Sequence, residues 1–260
     1  MKHETNAHFD KELYEALCSL PEDVLRVSKE KLDTLWQRLC SLPEKILEHP
    51  GRFMYNPVSK LGQDDLYLLG IHPGIDPKGN PKTEKQSLRG EIREWSKKST
   101  NAMVSENWSG PYYQSTIRTL CDGIGKELNE LCASNLYFVR AQNYDTLLET
   151  LKNMELDSNG EDFWLVHKEV IGIIQPKCIL VIGIVIFKII LQLLRFRKEW
   201  EKPSLRSDCG KYLCSVFAGQ WQGQPLTLIG IPYPKHDNQQ THLMNYPEVL
   251  EKIAKVVRDV

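Results

Sequence analysis

Three stretches of this 260-residue chain gather side chains able to move protons or present hydrogen-bond donors. The first is Gly70-Ile71-His72-Pro73-Gly74, with Asp76 shortly after. An imidazole or a carboxylate here could act as a general base and orient water. Each also has a plainer use: His72 can fix the turn by bonding nearby backbone, and Asp76 can form an Asx-turn before Pro77. The second stretch is Arg140-Ala141-Gln142-Asn143, where Arg140 offers only donors and the Asn143 amide offers a donor and an acceptor. The third is Pro232-Tyr233-Pro234-Lys235-His236, a loop stiffened by two prolines and carrying a phenol, an ammonium and an imidazole. Core packing for Tyr233 and solvated charge for Lys235 are the alternatives. Trp108 and Tyr112, on either side of Ser109-Gly110-Pro111, offer flat faces for stacking, whereas Tyr113 falls on an apolar helical stripe. No metal is expected, because His236 and His242 lack helical spacing and a cysteine or carboxylate set. No cofactor is expected either, and an α/β nucleotide-binding enzyme is disfavoured because neither a Gly-x-Gly-x-x-Gly nor a phosphate-loop Gly-Lys-Ser/Thr pattern occurs.

The surrounding pattern says what must hold these loops. Leu66 to Ile71, Asn135 to Ala141, Cys178 to Gly183 and Leu226 to Ile231 are apolar runs of strand length, and Tyr212 to Phe217 reads as an extra edge strand. Helical periodicity runs through Tyr113, Ile117, Leu120, Ile124, Leu128 and Leu131, and through Phe163 to Ile174, Ile184 to Trp200 and Pro247 to Val257. Strands alternating with helices predict an α/β fold: a three-layer sandwich with a central, mainly parallel, four-stranded sheet, plus N-terminal helices. Ligands of such sheets bind beyond the carboxyl ends of the strands, where the three stretches fall.

The first fifty residues read as helix throughout, so residues 1–60 form an N-terminal helical layer and 61–260 the α/β domain. Leu17-Cys18-Ser19-Leu20-Pro21-Glu22 recurs as Leu39-Cys40-Ser41-Leu42-Pro43-Glu44, each copy with the Ser-x-x-Glu spacing of a capping box. The composition, 41% hydrophobic and 26% charged, excludes disordered and collagen-like chains. A net charge of −1 excludes a histone-like polycation. Basic residues nevertheless outnumber acidic ones from Lys78 to Lys98 and from Lys188 to Lys211, as a phosphate-binding surface or a solvated face would require. Seven cysteines without paired spacing suggest a reducing cytoplasm, and Cys209 and Cys214 read as part of a small packed hairpin. The N-terminus lacks a signal-peptide apolar core and the greasiest run is too short to span a bilayer, so a soluble cytoplasmic protein is expected.

Taken in order, the motifs resemble those of the uracil-DNA glycosylase superfamily. Gly70 to Gly74 is similar to its first motif, which in the mismatch-specific branch reads Gly-Ile-Asn-Pro-Gly. Asn135 to Asn143 is similar to the strand that reads the flipped base. Ile174-Gln175-Pro176 through Gly183 resembles its helix-Pro-strand-Gly segment, and Leu228 to His236 its last strand and loop. The resemblance covers roughly residues 64 to 257. It departs from the pattern at three places. His72 stands where the superfamily has asparagine, aspartate or glutamate. Tyr233 replaces the histidine of the last motif, with His236 three residues on. Arg140 falls where the base-reading asparagine belongs, although a shifted alignment uses Asn143. The paired cysteines of iron–sulfur relatives are also missing before the first motif.

The resemblance implies an enzyme that extrudes a non-standard base from DNA and hydrolyses its N-glycosidic bond, leaving an abasic site. His72 or Asp76 would orient water; Gly70, Ile71, Pro73, Gly74, Trp108, Tyr112, Arg140, Asn143 and Tyr233 would hold the base; Lys235 and His236 would meet the DNA. Arg140 further narrows the base. Uracil would leave its N3–H without an acceptor from arginine, whereas cytosine presents an acceptor at N3 and a sugar-decorated base presents more. Unmodified cytosine would destroy the host genome. A bulky modified cytosine of phage DNA is therefore the expected substrate, with an antiviral role. Repair of uracil or another deaminated base is one alternative, and a DNA- or nucleobase-binding module without catalysis is the other.

Overall fold

A six-stranded mixed sheet is built from β1 (Leu66–Gly70), β2 (Cys132–Asn135), β3 (Cys178–Ile182), β4 (Glu201–Arg206), β5 (Leu213–Trp221) and β6 (Gln224–Ile231), of which β1, β3, β5 and β6 fall on expected strands. The structure, a computed structural model, describes residues 26–74, 85–95, 97–98, 100–105, 111–206, 213–232 and 247–259. The strands lie in the order β2-β1-β3-β6-β5-β4. β2, β1, β3 and β6 run parallel, and β5 and β4 add an antiparallel pair beyond β6.

The α/β class holds, but the expected four-stranded sheet is corrected to six. β5 is not an edge strand, since it pairs with β6 on one side and β4 on the other. β5 and β6 are joined by a two-residue hairpin at Gln222 and Gly223, both at positive φ (51° and 79°). That backbone suits the twist of the flanking strands.

The described α-helices are α1 (Lys29–Cys40), α2 (Glu44–Leu47), α3 (Leu88–Trp95), α4 (Ala102–Ser105), α5 (Pro111–Ile124), α6 (Tyr144–Asn153), α7 (Glu161–Ile174), α8 (Ile184–Leu193) and α9 (Pro247–Asp259). Alternation along the strands divides the core. Tyr67, Leu69, Ile179, Val181 and Leu228 pack with residues of α1, α7 and α8 on one face. Leu66, Leu68, Leu180, Ile182, Ile229 and Ile231 pack with residues of α5 and α9 on the other. α8 reaches β6 closely because position 230 is glycine: a Cβ there would lie 2.3 Å from the Phe187 ring.

Residues 29–50 are less continuously helical than expected. The Ser41–Glu44 capping box does not form. The Ser41 hydroxyl instead donates to the Arg38 carbonyl, closing α1, and Pro43 precedes the first turn of α2. The first copy of the repeat lies outside the described residues. α1 buries Leu32, Leu35, Trp36 and Leu39 in the same cluster as Tyr67 and Leu69. At roughly 2 kcal/mol for each large apolar side chain, that stripe anchors the helix against α7.

The outer edge of β2 is also covered. The Tyr55 amide donates to the Ala133 carbonyl (3.0 Å) and the Arg52 amide to the Phe138 carbonyl (2.8 Å), so residues 50–55 run antiparallel to β2 and its continuation. Arg52 and Glu91 are both buried, with Nε and Oε1 3.4 Å apart, and Lys98 donates to Glu91 at 2.6 Å. This ion pair fastens the edge segment to α3.

Candidate functional site

The sheet order places a topological switch between β1 and β3. The connection after β1 leads to β2 on one side, and the connection after β2 returns to β3 on the other. Chains leave such a point in opposite directions and open a crevice at the carboxyl ends of the strands. Residues 71–74 follow β1 here, and Gly183 follows β3.

Gly183 precedes α8 with φ +117°, a conformation strained for any residue with a side chain, and its amide donates to the Ile231 carbonyl at 2.7 Å. A Cβ at 183 would approach the Ile71 side chain to 3.0 Å. The ends of β1, β3 and β6 are thereby drawn together. Gly74 is different: among the described residues an added Cβ there would touch nothing. Packing against the described residues imposes no need for glycine at this position.

The second wall comes from β2. The strand lies earlier than the expected Asn135–Ala141 run, ending rather than beginning at Asn135, which is level with Gly70 in register. The chain bends at Leu136 and Tyr137 and continues as an arm beside the β1 loop. Leu136 donates to the Gly70 carbonyl (2.9 Å), Tyr137 to Ile71 (3.0 Å) and Ala141 to Pro73 (3.3 Å). Leu136, Tyr137, Phe138 and Val139 are wholly buried, and Phe138 meets Phe53 and Phe163 edge to face. The arm is therefore a rigid support for what it carries.

It carries Arg140. This side chain is 6% exposed, and its Nη1 donates to the Gly74 carbonyl at 2.8 Å. His72 lies half-buried in the same loop, with Nδ1 3.2 Å from the Pro73 carbonyl. A carbonyl only accepts, so Nδ1 bears the proton and the Nε2 lone pair is left available. Burial lowers the His72 pKa from 6.5, partly opposed by the Pro73 bond, so the neutral ring prevails at physiological pH.

Gly70, Ile71, His72, Pro73, Gly74 and Arg140 thus form one neighbourhood. Asn143 has another job. It caps α6, its side chain accepting from the Thr146 amide (2.9 Å) while its own amide donates to the Thr146 hydroxyl (3.0 Å). Its side-chain oxygen is taken up by the helix, and the asparagine that ends β2 is Asn135. Tyr112 lies on the first turn of α5. Asp76, Trp108, Tyr233, Lys235 and His236 fall outside the described residues, as do Cys209 and His242. Cys214 is buried in β5, within the expected antiparallel hairpin. Trp95 is a core residue whose Nε1 donates to the Asn56 carbonyl at 2.8 Å.

Sequence reasoning missed Asn135. It closes β2, is 3% exposed, and its Nδ2 donates to the Tyr55 hydroxyl at 2.6 Å. A polar residue at the carboxyl end of an otherwise buried strand was the available signal. Among the described residues no group of three histidine, cysteine, aspartate or glutamate side chains could hold a metal ion, and no helix is long and apolar enough to cross a membrane. Comparison with known proteins finds no family model and no curated protein that matches the chain.

Proposed function

We propose that the chain is a DNA glycosylase that accepts an extruded, non-standard base at the crevice between β1 and β3 and hydrolyses its N-glycosidic bond. The observation that carries the reading is His72: a neutral imidazole at the switch point, with Nδ1–H given to the Pro73 carbonyl and Nε2 left as a base. As the bond breaks, its electron pair leaves with the base and positive charge develops at C1′ of the sugar. A water oxygen bonds to C1′, and its proton passes to His72 Nε2. A donor on the arm beyond β2 meets the negative charge on the departing base. Gly74, where the described residues leave room for a side chain, adds no bulk beside His72.

The proposed substrate is a bulky modified cytosine of phage DNA, whose acceptor-rich edge suits the all-donor guanidinium of Arg140. One observation favours a deaminated base such as uracil instead. Asn135, whose Nδ2 donates to Tyr55 and whose Oδ1 is the acceptor a uracil N3–H needs, stands at the strand end, while Arg140 commits Nη1 to Gly74. The test is a panel of DNAs bearing uracil, hypoxanthine, cytosine, hydroxymethylcytosine or glucosylated hydroxymethylcytosine, assayed for alkali-labile abasic sites. Release confined to the glucosylated base supports the first reading, and release of uracil alone the second. Tight binding with no release from any member would make the protein a binding module.

A further inference from the structure

We propose that His167 is a positioning residue for the crevice, holding the bend where the β2 arm turns toward the His72 loop. It lies on α7, fully buried on a helix face otherwise made of Phe163, Val166, Val170 and Ile174. Its Nε2 is 3.0 Å from the Asn135 carbonyl and 3.2 Å from that of Leu136. Both atoms only accept, so Nε2 carries the proton and donates to the pair. Nδ1 then accepts from the Tyr67 hydroxyl, 2.9 Å away.

Both partners keep these roles. Burial lowers His167 to about 4, and burial holds Tyr67 well above its ordinary value, so the ring stays neutral and the phenol stays a donor. Successive carbonyls of an extended strand point to opposite sides; two of them meet one donor only where the strand turns. The imidazole therefore occupies the bend itself. From that bend the arm runs through Phe138 to Arg140, and Arg140 reaches Gly74 in the loop of His72. Tyr67 of β1 and His167 of α7 together register this arm against the strand that bears the loop.

The catalytic part of this inference rests on the glycosylase reading; the structural part does not. Two variants separate them. His167→Leu removes both nitrogens, whereas His167→Gln can return an N–H near the position of Nε2. Hydrogen exchange at the amides of Leu136, Tyr137, Arg140 and Ala141 should accelerate about tenfold in His167→Leu, with Ile179 to Ile182 unchanged. Single-turnover base release should fall about tenfold while DNA affinity holds, and His167→Gln should recover most of both losses. Should the leucine variant fail to fold, Tyr67→Phe, which removes only the hydroxyl, should give a smaller acceleration confined to the same amides. Unchanged exchange in the arm, acceleration spread equally over β3, or a glutamine variant no better than leucine would overturn the proposal. If the wild type releases no base, the glycosylase reading fails, and the exchange measurement still decides the role of His167.

Discussion

Arg140, on the arm beyond β2, donates from Nη1 to the carbonyl of Gly74, 2.8 Å away, and so ties the second wall of the crevice to the loop that carries His72. The contact gives the arginine a structural task before any ligand arrives. It also separates two roles that the sequence alone leaves merged: holding the loop and reading the base.

Replacement of Arg140 distinguishes them. As a clamp only, Arg140→Ala should lower base release about equally for every substrate in the panel, with a stability loss of roughly 1–3 kcal/mol from the lost charge-assisted bond. As a base reader as well, the same variant should lose far more activity on glucosylated hydroxymethylcytosine than on uracil. Single-turnover rates on both DNAs, with thermal unfolding as control, make the comparison.

Gly183 should tolerate no side chain. Its φ of +117° is strained for alanine, and the new Cβ would press on Ile71 at 3.0 Å. Gly183→Ala is expected to destabilise the fold by about 1–3 kcal/mol, measured by urea unfolding. Gly74→Ala, with nothing among the described residues for its Cβ to meet, should leave stability near wild type. Equal losses at the two positions would contradict this account of the crevice.

The topology was legible as far as apolar runs and helical periods go, because β1, β3 and β6 are buried on both faces and read as unbroken hydrophobic segments. β4 was not legible. Glu201, Lys202 and Pro203 begin it, a composition that suits an exposed edge strand and looks like a loop. The β5–β6 hairpin was masked by Gln222, where asparagine or aspartate would have announced the turn. At the site, motif order brought His72 and Arg140 near each other, but local sequence could not show that Asn143 caps a helix. Nor could it reveal His167, which reads as one polar interruption in an apolar stripe; its partners on β1 and β2 are distant in sequence.

Acid should weaken the fold through His167. Its folded pKa, about 4, lies below the ordinary 6.5, so folding favours the neutral ring. The resulting stability is fully present above pH 6.5, falls as pH drops from 6.5 to 4, and changes no further below that, because the unfolded chain takes up the proton first. The total is on the order of 3 kcal/mol. Urea unfolding across this range should show a shallower pH dependence in His167→Gln. An identical slope in both proteins would count against a buried neutral imidazole.

The pH dependence of base release should report His72 at lower pH than an ordinary exposed histidine would. Since burial lowers its pKa, the basic form persists to more acid pH. The single-turnover rate should be flat at and above neutrality and decline only below 6.5. An acid limb centred above 6.5 would assign the titration to another group.

The central claim, that His72 serves as the base at a glycosylase crevice, is tested most directly by single-turnover base release from the best panel DNA with wild type and His72→Ala, alongside DNA affinity. The loss of a general base predicts a fall of roughly 10²–10⁴-fold in rate with affinity within about threefold of wild type. A His72→Ala protein that releases the base as fast as wild type would contradict the account.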